Sequence, residues 1–163
     1  MNNDIAYLIV NLGTPDSPSP KDVKKYLAEF LMDPRVIDIP KIARMALVHG
    51  VILNTRPKKS AHAYAQIWTQ RGSPLRFHTQ DLNEELSKIL PHSYYCMRYG
   101  QPSIGSVLSQ LKNYSKIRVL ALYPQFAWSS SASCIEKVRD EAQALGMGHK
   151  IEFLEPFYAH KAY

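Results

Sequence analysis

Several side chains of this sequence could bind a flat, negatively charged aromatic molecule. Aromatic rings stack on planar ligands, and arginines form charge-assisted hydrogen bonds with carboxylates. Simpler roles are also open, because Tyr64 and Trp68 could pack in the core and the arginines could be solvated. Residues of these types occur at Arg56, Tyr64, Trp68, Arg98 and Tyr99.

Other common chemical motifs are missing. Gly13 stands alone after the first apolar run, so the sequence lacks the Gly-x-Gly-x-x-Gly of dinucleotide sites. The serines at 129–131 precede a predicted helix and could hold an anion, but a helix cap is the favoured interpretation. The six histidines are scattered, which favours structural or solvated roles over metal binding.

The composition is typical of a soluble globular protein. Of 163 residues, 45% are hydrophobic and 21% charged. The net charge of +6 is spread along the chain, which argues against a nucleic-acid partner and is compatible with an anionic small molecule. The isolated Cys96 and Cys134 and a start without signal-peptide character predict a cytoplasmic location.

The elements that must position these residues alternate between strands and helices. An apolar run predicts a buried strand over about residues 5–12, ended by Gly-Thr-Pro. Further strands are predicted near 93–99, 116–123 and 150–157, which together indicate an α/β fold with a parallel sheet. Asn11, Leu12 and Gly13 should then lie at the floor of a cleft, although an ordinary core strand and turn remains the alternative.

A helical insertion separates the first two strands. Ser19 and Pro20 begin its first helix, a second is predicted over Lys41–Leu53, and the sequence 54–57 predicts a break. Helices over 58–70 and from Pro74 to Leu90 follow. An insertion of this size is typical of a lip or lid over a site.

Four segments resemble the ferrochelatase family, whose members insert ferrous iron into a porphyrin to make haem. The segments occur in the family's order and spacing, and the resemblance is to the bacterial form across the whole chain. Two shorter matches are Arg98-Tyr99-Gly100 and Pro156-Phe157-Tyr158. The four segments are Leu8–Pro15, Phe30–Val36, Tyr64–Leu75 and Leu122–Phe126.

The resemblance implies a Rossmann-like, class II chelatase-like fold: a four-stranded parallel sheet flanked by helices, with a helical lip after the first strand. Residues 1–163 correspond to the family's N-terminal domain as a single domain. The family's C-terminal chelatase domain, which carries the metal-handling histidine and acidic residue, is missing. No residue here therefore inherits a catalytic or metal-binding role, and the chain is expected to be a fragment that is inactive alone.

The resemblance also implies porphyrin-binding residues. Arg56, Tyr64 and Ser73 match porphyrin-binding positions, Leu12 matches an apolar pocket position, and Arg98 matches a polar contact at the pocket wall. The substrates are expected to be Fe²⁺ and protoporphyrin IX. No cofactor is expected, and Trp128 stands where some relatives have a cysteine that binds an iron–sulfur cluster.

The inserted helices correspond to the family's lip over the porphyrin, and an apolar, basic lip could rest at the periphery of a membrane surface. The apolar residues that could supply that contact are Leu27, Leu31, Val36, Met45 and Val51.

Two other functions remain open at this stage. A half-length chelatase could dimerise to complete its cleft, but it needs metal-binding histidines near a strand end, and the sequence has no good set. A non-enzymatic porphyrin-binding module would need only the residues that grip the porphyrin.

Overall fold

A computed structural model describes residues 4–163. The predicted single domain over 1–163 and the signal-peptide interpretation include residues 1–3, which lie outside the described residues.

The strands are β1 (Ile5–Gly13), β2 (Ser93–Tyr99), β3 (Lys116–Ala121) and β4 (Ile151–Phe153). The helices are α1 (Pro20–Leu31), α2 (Lys41–Met45), α3 (Leu53–Ile67), α4 (Pro74–Ser87), α5 (Ile104–Gln110) and α6 (Ser133–Ala144). Ala46–Ile52 and Trp128–Ala132 are π-helical, and Gly148–Lys150 is a 3₁₀ turn.

The sheet is parallel and has the strand order β2-β1-β3-β4. Strand β1 pairs with β3 from Ile5 opposite Lys116 to Val10 opposite Ala121, and β3 pairs in turn with β4. The sheet is flanked by helices, and a helical insertion follows β1. The predicted fold class, an α/β fold with a four-stranded parallel sheet, is confirmed.

The described residues form two compact units. The first holds the residues up to Leu12 together with Thr79–Arg98 and Pro102–Tyr163, and the second holds Gly13–His78 and Tyr99–Gln101. The assignment of residues 1–163 to one domain stays a prediction.

The core of the first unit lies between the sheet and helices α5 and α6. Side chains of β1 and β3 alternate in direction, so every second residue reaches this core. Cys96 and Cys134 are buried in it, and burial raises the pKa of the Cys96 thiol. The remaining core residues include Leu8, Val10, Ile104, Leu108, Ile117, Val119 and Val138.

Helix α1 of the second unit begins as predicted. The Ser19 hydroxyl accepts a hydrogen bond from the Asp22 N–H at 3.2 Å, and Pro20 occupies the first helical position. The Ser17 hydroxyl donates to the Asp22 carboxylate, which holds the pKa of that group below its usual range. The helix ends at Leu31, two residues before Asp33.

The predicted break at residues 54–57 is wrong. Helical structure continues from Lys41 to Ile67, with Pro57 inside α3. Leu53, Pro57 and Ala61 recur every four residues and are buried, and α3 packs against α1. The burial of this stripe outweighs the helix-breaking tendency of Pro57.

Side chains also satisfy the backbone just before Pro57. The Asn54 amide donates to the carbonyls of His49 and Gly50 at 3.0 Å, and the Thr55 hydroxyl donates to the Val51 carbonyl at 3.0 Å. These bonds are made to the π-helical stretch, where the normal i-to-i+4 ladder is shifted.

The serine cap predicted within 129–131 is wrong as well. These residues lie in the π-helical stretch Trp128–Ala132, which has no side-chain cap. The Ser131 hydroxyl instead donates to the Gln125 carbonyl at 3.1 Å and ties the preceding loop to the helix.

Gly13 allows a close backbone approach within the second unit. Its φ is +103°, and a Cβ atom at this position would lie 1.8 Å from the Tyr99 carbonyl oxygen. No side chain larger than hydrogen fits without moving backbone. Gly146 also has a positive φ, of +70°, but a Cβ there would meet nothing within 4 Å.

We expect Gly13→Ala to destabilise the fold by about 2–5 kcal/mol, because it adds a backbone collision to the cost of a positive φ. Gly146→Ala is the matched control and should cost only about 1–2 kcal/mol. Urea unfolding of both variants measures the difference. Equal losses would show that the approach to Tyr99 does not constrain the fold.

Candidate functional site

Leu12 lies near the carboxyl end of β1 and is half-buried. Its N–H donates to the Asn11 side-chain oxygen at 2.8 Å. The Asn11 amide donates in turn to the Thr79 hydroxyl at 2.9 Å. These bonds fix the end of β1 to α4, at the sheet edge where parallel α/β proteins bind ligands.

Arg98 lies at the end of β2, in the same unit and on the strand beside β1. Its Nε donates to the backbone carbonyl of Ser133 at 3.1 Å and to the Ser133 hydroxyl at 2.7 Å. Ser133 is the first residue of α6 and is buried. No local sequence signal singles out Ser133, since its contact with Arg98 spans 35 residues of chain.

In the second unit, Tyr64 belongs to a cluster of aromatic rings. Its ring meets Trp68 edge-on at 6.5 Å and Tyr26 edge-on at 6.3 Å. Tyr26 continues the cluster to Phe30, with stacked rings 6.0 Å apart. The predicted aromatic pair Tyr64 and Trp68 is therefore brought together, at the spacing usual for aromatic contacts.

Burial makes the two phenols of this cluster, Tyr26 and Tyr64, harder to ionise. Burial is the main cause that raises the pKa of Tyr26, with added contributions from Tyr64 and Tyr99, and burial also raises the pKa of Tyr64. The Tyr26 hydroxyl donates to the Gly13 carbonyl at 3.3 Å. Near neutral pH both groups can thus give hydrogen bonds but are poor bases.

Ser73 is buried and precedes α4. Its hydroxyl accepts a hydrogen bond from the Thr14 hydroxyl at 2.9 Å. Its backbone carbonyl accepts from the N–H groups of Arg76 and Phe77 at the start of the helix. Ser73 therefore holds the turn before α4 to the segment that follows β1.

Tyr99 has a packing role. Its side chain is fully buried, its ring meets Phe30 at 5.1 Å, and its hydroxyl donates to the Asp33 carboxylate at 2.7 Å. Asp33 also accepts from the Arg35 N–H at 2.8 Å. Tyr99 is one of the residues whose types could bind an aromatic ligand, but its ring and hydroxyl are buried in the second unit.

Arg56 is exposed on α3, eight residues before Tyr64 on the same helix. Residues eight apart lie about 80° from each other around a helix, so the two side chains project from neighbouring faces. Of the predicted site residues, Leu12 and Arg98 lie near the carboxyl ends of adjacent strands in the first unit. Arg56, Tyr64 and Ser73 belong to the second unit.

Over residues 4–163, no group of three or more histidine, cysteine, aspartate or glutamate side chains is placed to hold a metal ion. In the same part of the chain, none of the helices combines the length and apolar character needed to cross a bilayer.

The fold and these strand-end residues define a class: parallel α/β proteins with a helical lip between the first and second strands. Within that class, the family model described as Ferrochelatase matches residues 4–163. The chain belongs to the ferrochelatase family.

Individual bacterial relatives agree. The chain is 43% identical to a ferrochelatase of Pseudomonas putida over 164 residues, which cover 98% of this chain and 48% of the relative. It is 39% identical to ferrochelatases of Pseudoalteromonas atlantica and Neisseria meningitidis, covering 98% and 99% of this chain and 47% and 49% of those proteins. The chain spans about half the length of the curated relatives it matches.

We expect Ser73→Ala to lower the free energy of unfolding by about 1–3 kcal/mol, because it leaves the buried Thr14 hydroxyl without its acceptor. Urea unfolding measures this, with the exposed Ser87→Ala as control, expected within about 0.5 kcal/mol of wild type. Replacing both partners, in Thr14→Val with Ser73→Ala, should cost less than the Ser73 change alone. A wild-type stability for Ser73→Ala would contradict the structural role of this bond.

Proposed function

We propose that this chain forms the porphyrin-binding half of a ferrochelatase, which inserts Fe²⁺ into protoporphyrin IX in the last step of haem biosynthesis. The observation that carries the proposal is the match of one family model to residues 4–163, supported by relatives about 40% identical that are named ferrochelatase.

The proposed porphyrin contacts are Leu12, Arg56, Tyr64, Ser73 and Arg98. Arg56 is an exposed cation that would meet a propionate, and Tyr64 is half-buried among rings and would pack against or bond to the macrocycle edge. The buried hydroxyl of Ser73 would first have to exchange its bond with Thr14.

In the proposed reaction, a distorted porphyrin ring exposes its nitrogen lone pairs, a base removes the pyrrole protons, and the metal enters. Binding contacts away from the nitrogens would favour the distorted ring, which resembles the transition state. This half of the enzyme would supply those binding contacts. The base and the metal-handling groups would come from the C-terminal chelatase domain, so no catalytic or metal role is assigned to residues of this chain.

No cofactor is included in the proposal. Trp128, which stands where some relatives place a cluster-binding cysteine, lies on the π-helical stretch before α6 with its side chain exposed. An indole cannot replace a thiolate as an iron ligand, so an iron–sulfur cluster at this position is not proposed.

We further propose a cytoplasmic location with peripheral contact to a membrane surface. Met45 and Val51 are exposed, and so are Ile42 and Leu47 on the same helical run. Leu27 and Leu31, which were also predicted for that contact, are buried on α1 and are removed from it, while Val36 is partly buried. The corrected surface is an apolar stretch of α2 and the adjoining π-helical residues.

The direct test is iron insertion by the full-length protein, meaning this chain together with the proposed C-terminal chelatase domain, which is the intact protein of every test below. The 163-residue chain alone is expected to insert no iron. We expect purified protein mixed anaerobically with Fe²⁺ and protoporphyrin IX to quench porphyrin fluorescence and to produce haem absorbance above the uncatalysed rate. Tight porphyrin binding without metal insertion would instead favour a non-enzymatic binding module. Absence of both would refute the proposal.

A second test concerns Arg56 and Tyr64. Arg56→Ala should weaken protoporphyrin binding by roughly 1–3 kcal/mol, the scale of a charge-assisted hydrogen bond, and Tyr64→Phe should weaken it by less. Fluorescence titration of the intact protein measures both. Lys58→Ala is the matched control, since it removes an exposed cation about 200° around the same helix. Unchanged affinity in both variants would remove these residues from the porphyrin site even if the function stands.

A further inference from the structure

Ser133 accepts from the Arg98 guanidinium through two oxygen atoms. Ser133 provides both oxygen atoms that accept from Arg98 Nε, its carbonyl at 3.1 Å and its hydroxyl at 2.7 Å. Ser133 is only 2% exposed, so these acceptors cannot be replaced freely by water. The single Nε–H is thus shared between the two oxygens in a bifurcated hydrogen bond, which restricts both the rotamer of Arg98 and the plane of its guanidinium.

The local helix geometry accounts for where Ser133 points. Ser133 directly follows the π-helical stretch Trp128–Ala132. A π turn contains more residues than an α turn, so this stretch rotates the start of α6 relative to an uninterrupted α-helix. Such π-helical segments are frequent at functional sites.

We propose that Ser133 is a positioning residue for porphyrin binding: it fixes the Arg98 guanidinium in the orientation that contacts the porphyrin. This proposal rests on the proposed function, in which Arg98 forms part of the pocket wall. Ser133 itself does not touch the porphyrin and acts only through Arg98. A bond that merely joined β2 to α6 would stabilise the fold without changing affinity for the ligand.

The test compares Ser133→Ala, Ser133→Thr and the control Ser131→Ala in the intact protein, by protoporphyrin titration and thermal unfolding. Ser133→Ala should weaken porphyrin binding about 3- to 10-fold, the effect of one lost hydrogen bond. Ser133→Thr keeps the hydroxyl and should restore binding to within about twofold. Ser131 is equally buried and hydrogen-bonded in the adjoining turn, so Ser131→Ala reports any purely structural effect on binding.

Arg98→Ala completes a double-mutant cycle. In that background Ser133→Ala should cause no further loss of affinity, because the group it positions is gone. Should Ser133→Ala not fold, Arg98→Lys keeps the charge but lacks the Nε–H donor, and it should weaken binding by a similar factor. Wild-type affinity in the lysine variant would then overturn the proposal.

Three results overturn the role of Ser133: equal losses in the two backgrounds of the cycle, an equal loss in Ser131→Ala, or no rescue by threonine. Unchanged affinity in Arg98→Ala also overturns it, by removing Arg98 from the pocket. The titration reads binding alone. Porphyrin binding that depends on Ser133 in a protein without iron insertion would therefore support this proposal while refuting the proposed catalytic function.

Discussion

The backbone of Gly13 lies so close to the Tyr99 carbonyl that no side chain fits between them. A second glycine repeats the arrangement: Gly100 has a φ of +83°, and a Cβ there would lie 2.8 Å from the Thr14 carbonyl oxygen. The chain leaving β1 and the chain leaving β2 thus run in contact within the second unit. Much of that unit depends on this constraint, because two adjacent positions of each segment are fixed by it.

Hydrogen bonds to the same segments then position the surrounding side chains. Tyr26 of α1 donates to the Gly13 carbonyl, Thr14 donates to Ser73 before α4, and Glu29 of α1 accepts from the Gly100 N–H at 3.0 Å. The bond from Tyr26 to Gly13 also positions the Tyr26 ring that contacts Tyr64. Helix α1 and the turn before α4 are therefore attached by polar bonds to the segments Gly13–Thr14 and Tyr99–Gly100 within the second unit.

In the first unit the corresponding attachment is made by Arg98 and Asn11. Arg98 joins the end of β2 to the start of α6, and Asn11 joins the end of β1 to α4. Both side chains are only partly buried, and both are held by hydroxyl groups. Arg98 and Asn11, at the carboxyl edge of the sheet, are thus oriented by the hydroxyl groups of Ser133 and Thr79. A ligand would meet side chains whose geometry is already set.

The sequence by itself determined the order of strands and helices along the chain, the start of α1 at Ser19 and Pro20, and the family. These depend on local apolar runs, caps and contiguous motifs. The predictions of a helix break at residues 54–57 and of a serine cap before α6 were wrong. In both places long-range packing or a hydrogen bond to a preceding segment decides the backbone, and neither leaves a local signal. Tertiary structure alone decided that Tyr99 and Leu27 are buried and that Ser133 holds Arg98. Those outcomes depend on residues far apart in the chain, which only the folded backbone brings within bonding distance.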